Sequence, residues 1–517
     1  MNDATAPRRR TAEVSRRTLL ATLRERFGLT DFRPAQEDII RAILAGRDTL
    51  AVLPTGAGKS LVFQLPAVLL DGLTVVVSPL IALMKDQTDK LAERGVDAIT
   101  INSGLSAREQ ADAERSLGAG AGDILYVTPE RFRDREFFEM LLERRVALFV
   151  VDEAHCISQW GHDFRPDYMM LGSVAERLGR PPLVAVTATA GPEVQADIVR
   201  QLRMRRPYRR VGELIRPNLH LEVHRTVNPA LKDARLDEQL GDIDGTGIIY
   251  VATVKEAKRL HAELSARWPV TMYHGRMAAR DRHEAQERFM ADGVKAVIAT
   301  NAFGLGIDKP DIRFIIHYHL PGSIEAYYQE AGRAGRDGAP ARCSILYREE
   351  DRAIQGYFLG GKYPDDTEAL KVARIVNNVR DGERMALNDI AERAEVARRK
   401  ARIVLTLMKR FGAVREYRGG AWERLIPDVT TVPLHDQLLD YEARRLADRA
   451  KLKAMVQYCR TAQCRTRLIL EYFGETADPD YRCGHCDNDA ALESNGTAAL
   501  AASAGRPYSA SRTPVVE

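Results

Sequence analysis

Residues 53–60, with the sequence LPTGAGKS, have the residue types and spacing of a phosphate-binding loop. Glycines let the backbone curl so that successive N–H groups point inward, and the helix that follows adds partial positive charge. Lys59 supplies a full charge, and Ser60 can hold Mg²⁺. The usual pattern has glycine or alanine in place of Leu53, so a chance glycine-rich turn is the alternative. The residues expected to contact the nucleotide here are Thr55, Gly56, Gly58, Lys59 and Ser60.

Asp152 and Glu153 form a second candidate group, at the end of the apolar run 147–151. Two carboxylates at the tip of a buried strand are costly without a cation. Beside a phosphate loop, Asp152 can hold Mg²⁺ through water while Glu153 polarises an attacking water. An acidic pair alone is more often a solvated turn, but its position after the loop favours catalysis.

Arg333 and Arg336 lie three residues apart at a helix start, so both can point across a cleft at the nucleotide. Guanidinium groups that stabilise a transferring phosphoryl group contribute a factor of about 10³ to 10⁵ in rate. The alternative is a pair of surface arginines. Because these arginines and the phosphate loop lie in different halves of the chain, hydrolysis would require the halves to close.

Arg33 and Gln36, upstream of the phosphate loop, are candidates for contact with the base. The amide of Gln36 could read both the acceptor and the donor of an adenine edge, and Arg33 could stack or hydrogen-bond beside it. The alternative is the solvated start of a helix.

Apolar runs alternate with helical patterns through residue 346, which predicts two successive α/β domains with parallel sheets. Polar clusters follow the strands, where the carboxyl ends of a parallel sheet gather the chemistry. The second domain has no phosphate loop of its own, so one nucleotide would serve both. The predicted strands are 49–53, 73–77, 98–101, 124–127, 147–151 and 183–186, then 247–251, 270–273, 296–299, 312–316 and 343–346.

The composition excludes some classes of protein. The chain has 517 residues, of which 45% are hydrophobic and 29% charged, and no apolar run approaches the roughly 18 residues of a membrane span. No apolar segment follows the arginines at 8–10, so we expect a cytoplasmic protein without a signal peptide. The net charge is only +4, so affinity for nucleic acid must come from local patches.

A different pattern begins after Arg352. Helices predicted at 367–379, 387–394 and 397–411 precede two short strands about the pair Gly419 and Gly420, an arrangement typical of a winged helix. The third helix is basic and would place Arg398 and Arg399 on nucleic acid. A charged helical spacer with a solvated basic face is the alternative.

The block 152–168, DEAHCISQWGHDFRPDY, together with the phosphate loop and the block 329–338, resembles the RecQ family of superfamily 2 DNA helicases. The resemblance covers most of residues 23–338. It implies two tandem RecA-like domains and an aromatic-rich loop that links DNA contact to hydrolysis. Trp160 and Phe164 are large rings in a polar loop, which suits base stacking, and a core position for one ring is the alternative.

The resemblance also implies roles for individual residues. In the second domain, Gly304 and Asp308 would face the nucleotide. The residues that would contact nucleic acid in the two motor domains are Ser158, Gln159, Trp160, Phe164, Arg165, Thr300 and Asn301.

Four of the six cysteines lie between 459 and 486, and Cys483 and Cys486 form a Cys-x-x-Cys knuckle suited to Zn²⁺. The RecQ zinc module, which this segment resembles, has a cysteine at Cys464, the knuckle, and usually one more cysteine three residues later. That last position here is Asp489. Because an all-thiolate site suits zinc better, we favour Cys459 as the fourth ligand over Asp489.

The resemblance implies an ATP- and Mg²⁺-dependent 3′-to-5′ DNA helicase that acts in recombination and repair. Its partners would be single-stranded and forked duplex DNA, with single-strand-binding or other repair proteins beside them, and it would be a monomer in the bacterial cytoplasm, associated with the nucleoid. The rival interpretations are an RNA helicase, a DNA translocase without unwinding activity, and a winged-helix binding protein with an inactive motor.

The expected layout departs from the usual order of the family, in which the zinc module directly follows the motor. Here the winged helix lies between them, and the further helical domain of many relatives is not expected in the short tail. The expected segments are a disordered basic N-terminus (1–17), the first and second RecA-like domains (18–212 and 213–355), the winged helix (363–428), the zinc module (433–490) and a disordered tail (491–517).

We predict that Trp160→Ala retains weak basal ATP hydrolysis but loses stimulation by single-stranded DNA, because stacking of a base on an aromatic ring contributes about 1–3 kcal/mol. ATPase rates with and without single strands test this. Stimulation that persists in the variant would show that the loop is structural.

Overall fold

The computed structural model describes residues 14–158, 164–304, 307–361, 363–417 and 420–494. The expected disordered N-terminus and tail lie largely outside these ranges. The expected boundaries at residues 17 and 491 both fall inside helices, since the first helix begins at Arg16 and the last helix ends at Ser494.

The first domain is built on a parallel sheet. Its strands are β1 (Thr49–Val52), β2 (Leu73–Val77), β3 (Ala98–Ile101), β4 (Ile124–Val127), β5 (Val146–Val151), β6 (Leu183–Thr187) and β7 (Tyr208–Val211). They are ordered β3-β4-β2-β5-β6-β1-β7, and β7 is an edge strand that the sequence pattern did not predict. The Val- and Ile-rich inner strands suit burial on both faces.

Helices cover both faces of this sheet. They are α1 (Arg16–Phe27), α2 (Gln36–Leu44), α3 (Leu61–Leu69), α4 (Ile81–Glu93), α5 (Ala107–Gly118), α6 (Arg135–Leu142), α7 (Leu171–Arg177) and α8 (Pro192–Gln201). Successive residues of β1 enter opposite cores, since Leu50 and Val52 face one cluster while Ala51 faces the other. Short 3₁₀ segments at Pro129–Arg133, Ala154–Ile157 and Pro166–Met170 follow strand ends.

The second domain repeats this architecture. Its strands are β8 (Leu219–Arg225), β9 (Gly247–Tyr250), β10 (Val270–Tyr273), β11 (Ala296–Ala299), β12 (Phe314–His317) and β13 (Ala341–Tyr347), ordered β10-β11-β9-β12-β13-β8. Its helices are α9 (Pro229–Asp242), α10 (Val254–Leu264), α11 (Ala279–Met290), α12 (Ile324–Ala331) and α13 (Asp351–Gly360). The prediction of two parallel α/β domains is confirmed, and β8 is a further strand that the pattern did not predict.

A small domain with the predicted winged-helix elements follows. It contains α14 (Asp366–Asn377), α15 (Leu387–Arg393) and α16 (Arg398–Arg410), with an antiparallel sheet of β14 (Arg384–Ala386), β15 (Val414–Glu416) and β16 (Ala421–Arg424) in the order β14-β16-β15. Residues 418 and 419 of the predicted hairpin lie outside the described residues. Its core is separate from those of the motor domains.

The last module consists of α17 (Leu434–Arg460), α18 (Arg465–Tyr472) and α19 (Asp487–Ser494). It shares one core with the second domain, because Met455 and Leu470 pack in the same cluster as Tyr327. It also covers the edge strand β8, where Leu221 pairs with Cys486 in an isolated parallel bridge. The module is therefore an extension of the second domain. Among the described residues, no helix is both long and apolar enough to cross a bilayer.

Glu222 on β8 is the centre of a buried polar cluster in the second domain. It is 5% exposed, lies 3.0 Å from a guanidinium nitrogen of Arg342 and accepts hydrogen bonds from Ser344 and Gln239. Burial opposes ionisation, but hydrogen bonds from His224 and Ser344 and the charge of Arg342 outweigh it and lower the pKa of Glu222 to about 2.

This depressed pKa predicts a pH-dependent contribution to stability. Because the carboxylate is more acidic in the folded state, its contribution, of the order of 3 kcal/mol, is complete above the unfolded pKa of about 4.3 and is lost as the pH falls towards 2. We expect Glu222→Gln to be less stable than the wild type at pH 7, and the difference to shrink below about pH 4.3. Urea unfolding of both proteins between pH 7 and pH 3 measures it, and a difference that does not depend on pH would contradict the assignment.

Candidate active site and metal centre

The phosphate loop lies between β1 and α3, as predicted. Its glycines are needed there, since Gly58 has φ +77° and an added Cβ would lie 2.5 Å from the amide nitrogen of Gln36. The unusual Leu53 is 1% exposed, packs in the core, and donates its N–H to the carbonyl of Thr187 at 2.9 Å. The departure from the usual pattern therefore leaves the loop geometry intact.

Arg33 and Gln36 both bind the backbone of this loop. The Gln36 amide donates to the carbonyls of Ala57 at 3.0 Å and Gly58 at 3.1 Å, and an Arg33 guanidinium nitrogen donates to Gly56. In this conformation both side chains support the loop. Their expected contact with adenine stays a prediction.

Asp152 and Glu153 follow β5, with the Asp152 N–H bonded to the carbonyl of Val77 at 2.8 Å. Burial, and then the like charge of Glu153, raise the pKa of Asp152 to about 7, while Lys59 acts in the opposite direction. A carboxylate in such a place is stabilised by a cation. Carboxylate and hydroxyl oxygens, such as those of Asp152 and Ser60, are the ligand types that Mg²⁺ prefers.

Glu153 has a backbone conformation that is rare for a non-glycine residue, with φ +47°. Strain of this kind concentrates at functional sites. His155, buried beside it, lies 3.3 Å from a Glu153 carboxylate oxygen and 2.9 Å from the Thr187 hydroxyl. The acidic pair is thereby joined to the last residue of β6.

Lys59 completes this side of the cleft. Burial lowers the pKa of Lys59, and the charges of Glu153 and Asp152 counteract that effect, while Arg336 and Arg333 lower the pKa further. The lysine, the acidic pair and the two arginines therefore share one electrostatic environment, although they come from different domains.

Arg336 reaches the phosphate loop from the second domain. Arg333 and Arg336 follow the end of α12 and lie in a turn, not at the start of a helix as predicted. An added Cβ on Gly56 would lie 3.2 Å from Cγ of Arg336, so that side chain packs directly on the loop. Arg333 is 6% exposed and donates to the carbonyl of Gly304. The two lobes thus bring the predicted cradle and the predicted arginines together.

Gly304 and Asp308 contact these arginines in this conformation. Gly304 has φ +119°, and an added Cβ would lie 2.6 Å from the Tyr250 hydroxyl, so the turn admits no side chain. Asp308 accepts from Arg336 at 2.8 Å and from Lys90 of the first domain at 3.0 Å. Asp308 therefore bridges the lobes, and its contact with the nucleotide stays a prediction.

Arg216, in the segment between the domains, was missed by sequence reasoning. It donates to the carbonyls of Thr55 and Gly332 at 3.3 Å, Ala334 at 3.0 Å and Gly335 at 2.6 Å. It thus joins the phosphate loop to the turn that carries both arginines. An arginine after an apolar pair in a linker gives no local signal, because its partners are carbonyls more than 100 residues away in sequence.

The aromatic-rich loop is only partly described, and Gln159 and Trp160 lie outside the described residues. Arg165 donates to the carbonyl of Pro79 at 3.1 Å, and the Tyr168 hydroxyl donates to the carbonyl of Asp152 at 3.1 Å. Ser158 is fully buried in this conformation, and its contact with nucleic acid stays a prediction. Phe164 contacts α17.

The other residues predicted to bind nucleic acid differ in their exposure to solvent. Asn301 is exposed just after β11, whereas Thr300 is 8% exposed and bonded through its backbone. Arg398 and Arg399 are exposed at the start of α16. The neighbouring Lys400 is neutralised by Glu368 at 2.7 Å, so the two arginines are the accessible cations at that end of the helix.

A metal-binding group forms at the zinc knuckle, but with a different fourth residue from the one favoured above. The potential ligand atoms of Cys464, Cys483, Cys486 and Asp489 lie within 4.8 Å of one another. Cys459 is not in this group. It lies on α17 in the core shared with the second domain, 1% exposed, and burial raises the pKa of its thiol to about 12.

Asp489 is placed as a ligand would be. It is 3% exposed, and its Oδ2 accepts the N–H groups of Cys483 at 2.7 Å and Gly484 at 3.2 Å. Its Oδ1 is buried and has no hydrogen-bond partner among the described residues. Three thiolates and one carboxylate oxygen fit Zn²⁺. The choice of Cys459 is therefore corrected to Asp489.

Comparison with known proteins agrees with this geometry. The family profile for DEAD/DEAH box helicases matches residues 33–198, that for the helicase conserved C-terminal domain matches 231–338, and that for RecQ zinc-binding matches 431–490. The chain is 36% identical over 484 residues to the probable ATP-dependent DNA helicase RecS of Bacillus subtilis, covering 92% of this chain and 93% of that one.

Two further similarities define the extent of the match. The chain is 36% identical to the ATP-dependent DNA helicase RecQ of Bacillus subtilis over 89% of its own length and 65% of that relative. Mycobacterium smegmatis helicase Lhr, solved with single-stranded DNA and AMP-PNP, superposes with a TM-score of 0.54 at 20% identity, over 83% of this chain and 61% of Lhr. At that identity the likeness concerns the fold alone.

We expect Asp489→Ala to lose most of its bound zinc and Cys459→Ala to retain it, because only Asp489 directs a free oxygen into the cysteine group. Metal analysis of the purified proteins measures this, with Asp489→Cys as a variant that should bind zinc. Loss of zinc from Cys459→Ala alone would restore the earlier choice.

Proposed function

The chain belongs to the RecQ family of ATP-dependent DNA helicases, and we propose that it uses ATP hydrolysis to move 3′-to-5′ along single-stranded DNA and to separate duplex strands. The observation that carries the proposal is the contact of Arg336 with the phosphate loop at Gly56. This contact brings the phosphate loop of one domain and an arginine of the other to one site.

The nucleotide would lie in that cleft, with its phosphates on the loop backbone and on Lys59. Mg²⁺ held by Ser60 and Asp152 would supply Lewis-acid stabilisation of phosphate charge when bound. Glu153 would orient and deprotonate the attacking water, which places the proton on its carboxylate. Arg333 and Arg336 would then stabilise the charge on the transferring phosphoryl group.

Closure of the lobes would be coupled to the nucleotide, because the groups that act on it are divided between domains. ATP would draw the positive groups of both lobes onto one polyanion, and loss of phosphate would remove that attraction. If each lobe holds the nucleic-acid backbone, through groups such as Asn301 in the second, the cycle moves the protein along the strand.

DNA is the proposed substrate, and the accessory elements support it. The exposed Arg398 and Arg399 of the winged helix would contact phosphates, and Zn²⁺ held by the cysteine group would stabilise the module on β8. We further propose that the protein acts as a monomer in the bacterial cytoplasm, at the nucleoid, in recombination and repair and beside single-strand-binding proteins.

We predict that Glu153→Gln keeps ATP affinity but lowers DNA-stimulated turnover by about 10²- to 10⁴-fold, since it removes the general base without changing the shape of the site. Rates of ATP hydrolysis and of forked-DNA unwinding, with binding of a fluorescent ATP analogue, measure this. Glu143→Gln, on the exposed surface of the same domain, is the matched control.

The same assays distinguish the rival functions. Unwinding of forked RNA but not forked DNA would favour an RNA helicase, and hydrolysis without strand separation would favour a translocase. Near-normal turnover in Glu153→Gln would refute the catalytic assignment.

A further inference from the structure

Arg444 of α17 links the aromatic-rich loop of the first domain to the C-terminal module. Its guanidinium carbon lies 4.4 Å from the ring centroid of Phe164 and 4.7 Å from that of Tyr441. The residue is only 8% exposed. A buried cation is thus held between two rings from opposite sides of a domain boundary.

The rings are the principal partners of this cation in the described residues. Within the described ranges, no carboxylate forms an ion pair with Arg444, and its Nε has no hydrogen-bond partner. A guanidinium group stacks on aromatic faces through its plane as well as its charge. The contact therefore depends on the orientation of the Phe164 ring relative to the guanidinium plane.

The helix that carries Arg444 is fixed to the second domain. Lys451 pairs with Glu325 of α12 at 3.2 Å. The hydroxyl of Tyr363, in the segment that follows α13, donates to Asp448 at 3.2 Å. Further along α17, Met455 enters the second-domain core. Because α17 moves with the second domain, the contact between Arg444 and Phe164 links the position of that domain to the aromatic-rich loop of the first domain.

The loop segment beside Phe164 is in turn bonded to the acidic pair. The Arg165 N–H donates to the carbonyl of Cys156 at 2.9 Å, and the Tyr168 hydroxyl donates to the carbonyl of Asp152 at 3.1 Å. A change in the position of Phe164 would reach the hydrolytic residues through these two bonds.

We propose that Arg444 is a positioning residue for DNA-stimulated hydrolysis, which orients Phe164 and residues 164–168 so that strand binding is transmitted to Asp152 and Glu153. The proposal rests on the proposed function. It assigns to the zinc-module helix a direct part in coupling, in addition to its support of the second domain.

The test measures ATP hydrolysis by the full-length protein with and without saturating single-stranded DNA. We expect Arg444→Ala to lower the DNA-stimulated rate, and the ratio of stimulated to basal rate, by about tenfold, the factor that corresponds to loss of one desolvated cation–π contact. Arg444→Lys should show a similar loss, because an ammonium group keeps the charge but not the plane. Arg445→Ala, at the adjacent residue paired with Glu442 on the surface of the same helix, should keep the wild-type ratio.

Tyr441→Leu provides a second way to disturb the stack and should lower the ratio less than Arg444→Ala. If Arg444→Ala fails to fold, judged by thermal melting and zinc content, Arg444→Lys and Tyr441→Leu decide the question. A wild-type ratio in Arg444→Ala, full activity in Arg444→Lys, or a rise in the DNA-free rate would overturn the proposal.

Different results would refute the proposed function and the positioning role of Arg444. Absence of DNA stimulation in the wild-type protein would refute the proposed function itself. Normal stimulation in the wild type, with equal stimulation in Arg444→Ala, would refute only the positioning role.

Discussion

The contact between Arg336 and the phosphate loop is the constraint on which the rest of the structure depends. The loop belongs to the first sheet and the arginine to the second, so neither domain contains a complete site. Lys59, Arg333 and Arg336 share this site with the carboxylates of Asp152 and Glu153, and Asp308 pairs with Arg336. Under the proposed function, a bound polyphosphate would contact groups from both domains, which would couple domain closure to nucleotide binding.

Two sets of side-chain contacts maintain that arrangement. Arg216 bonds to carbonyls on both sides of the cleft, and the bridge from Lys90 through Asp308 to Arg336 adds a second link between the lobes. Arg216 holds this turn through its carbonyl groups, so it does not compete with Arg336 for the carboxylate of Asp308. The arginines that would act on phosphate are therefore held in place by a residue that has no predicted contact with it.

The accessory modules are attached to the motor in different ways. The winged helix has its own core, whereas the zinc module shares the core of the second domain and covers the edge strand β8. This explains how the unusual order of modules can be accommodated, because α17 returns from the winged helix to the second domain. The same helix brings Arg444 to the loop of the first domain, so one element contacts three parts of the molecule.

The sequence by itself determined the fold class, the phosphate loop, the acidic pair and the arginine pair, because each depends on local periodicity or on a short motif at a strand end. It did not determine the edge strands: β7 has only four residues, two of them arginines, and β8 alternates apolar and polar residues but is placed in the sheet by its pairing with the distant β13. Tertiary structure alone decided that Asp489, not Cys459, joins the cysteine group, since the direction in which α17 turns its thiol depends on packing against the second domain. It also decided the partners of Arg216 and Arg444. These partners are carbonyls and a ring far away in the chain, and the residues next to each arginine in sequence do not indicate them.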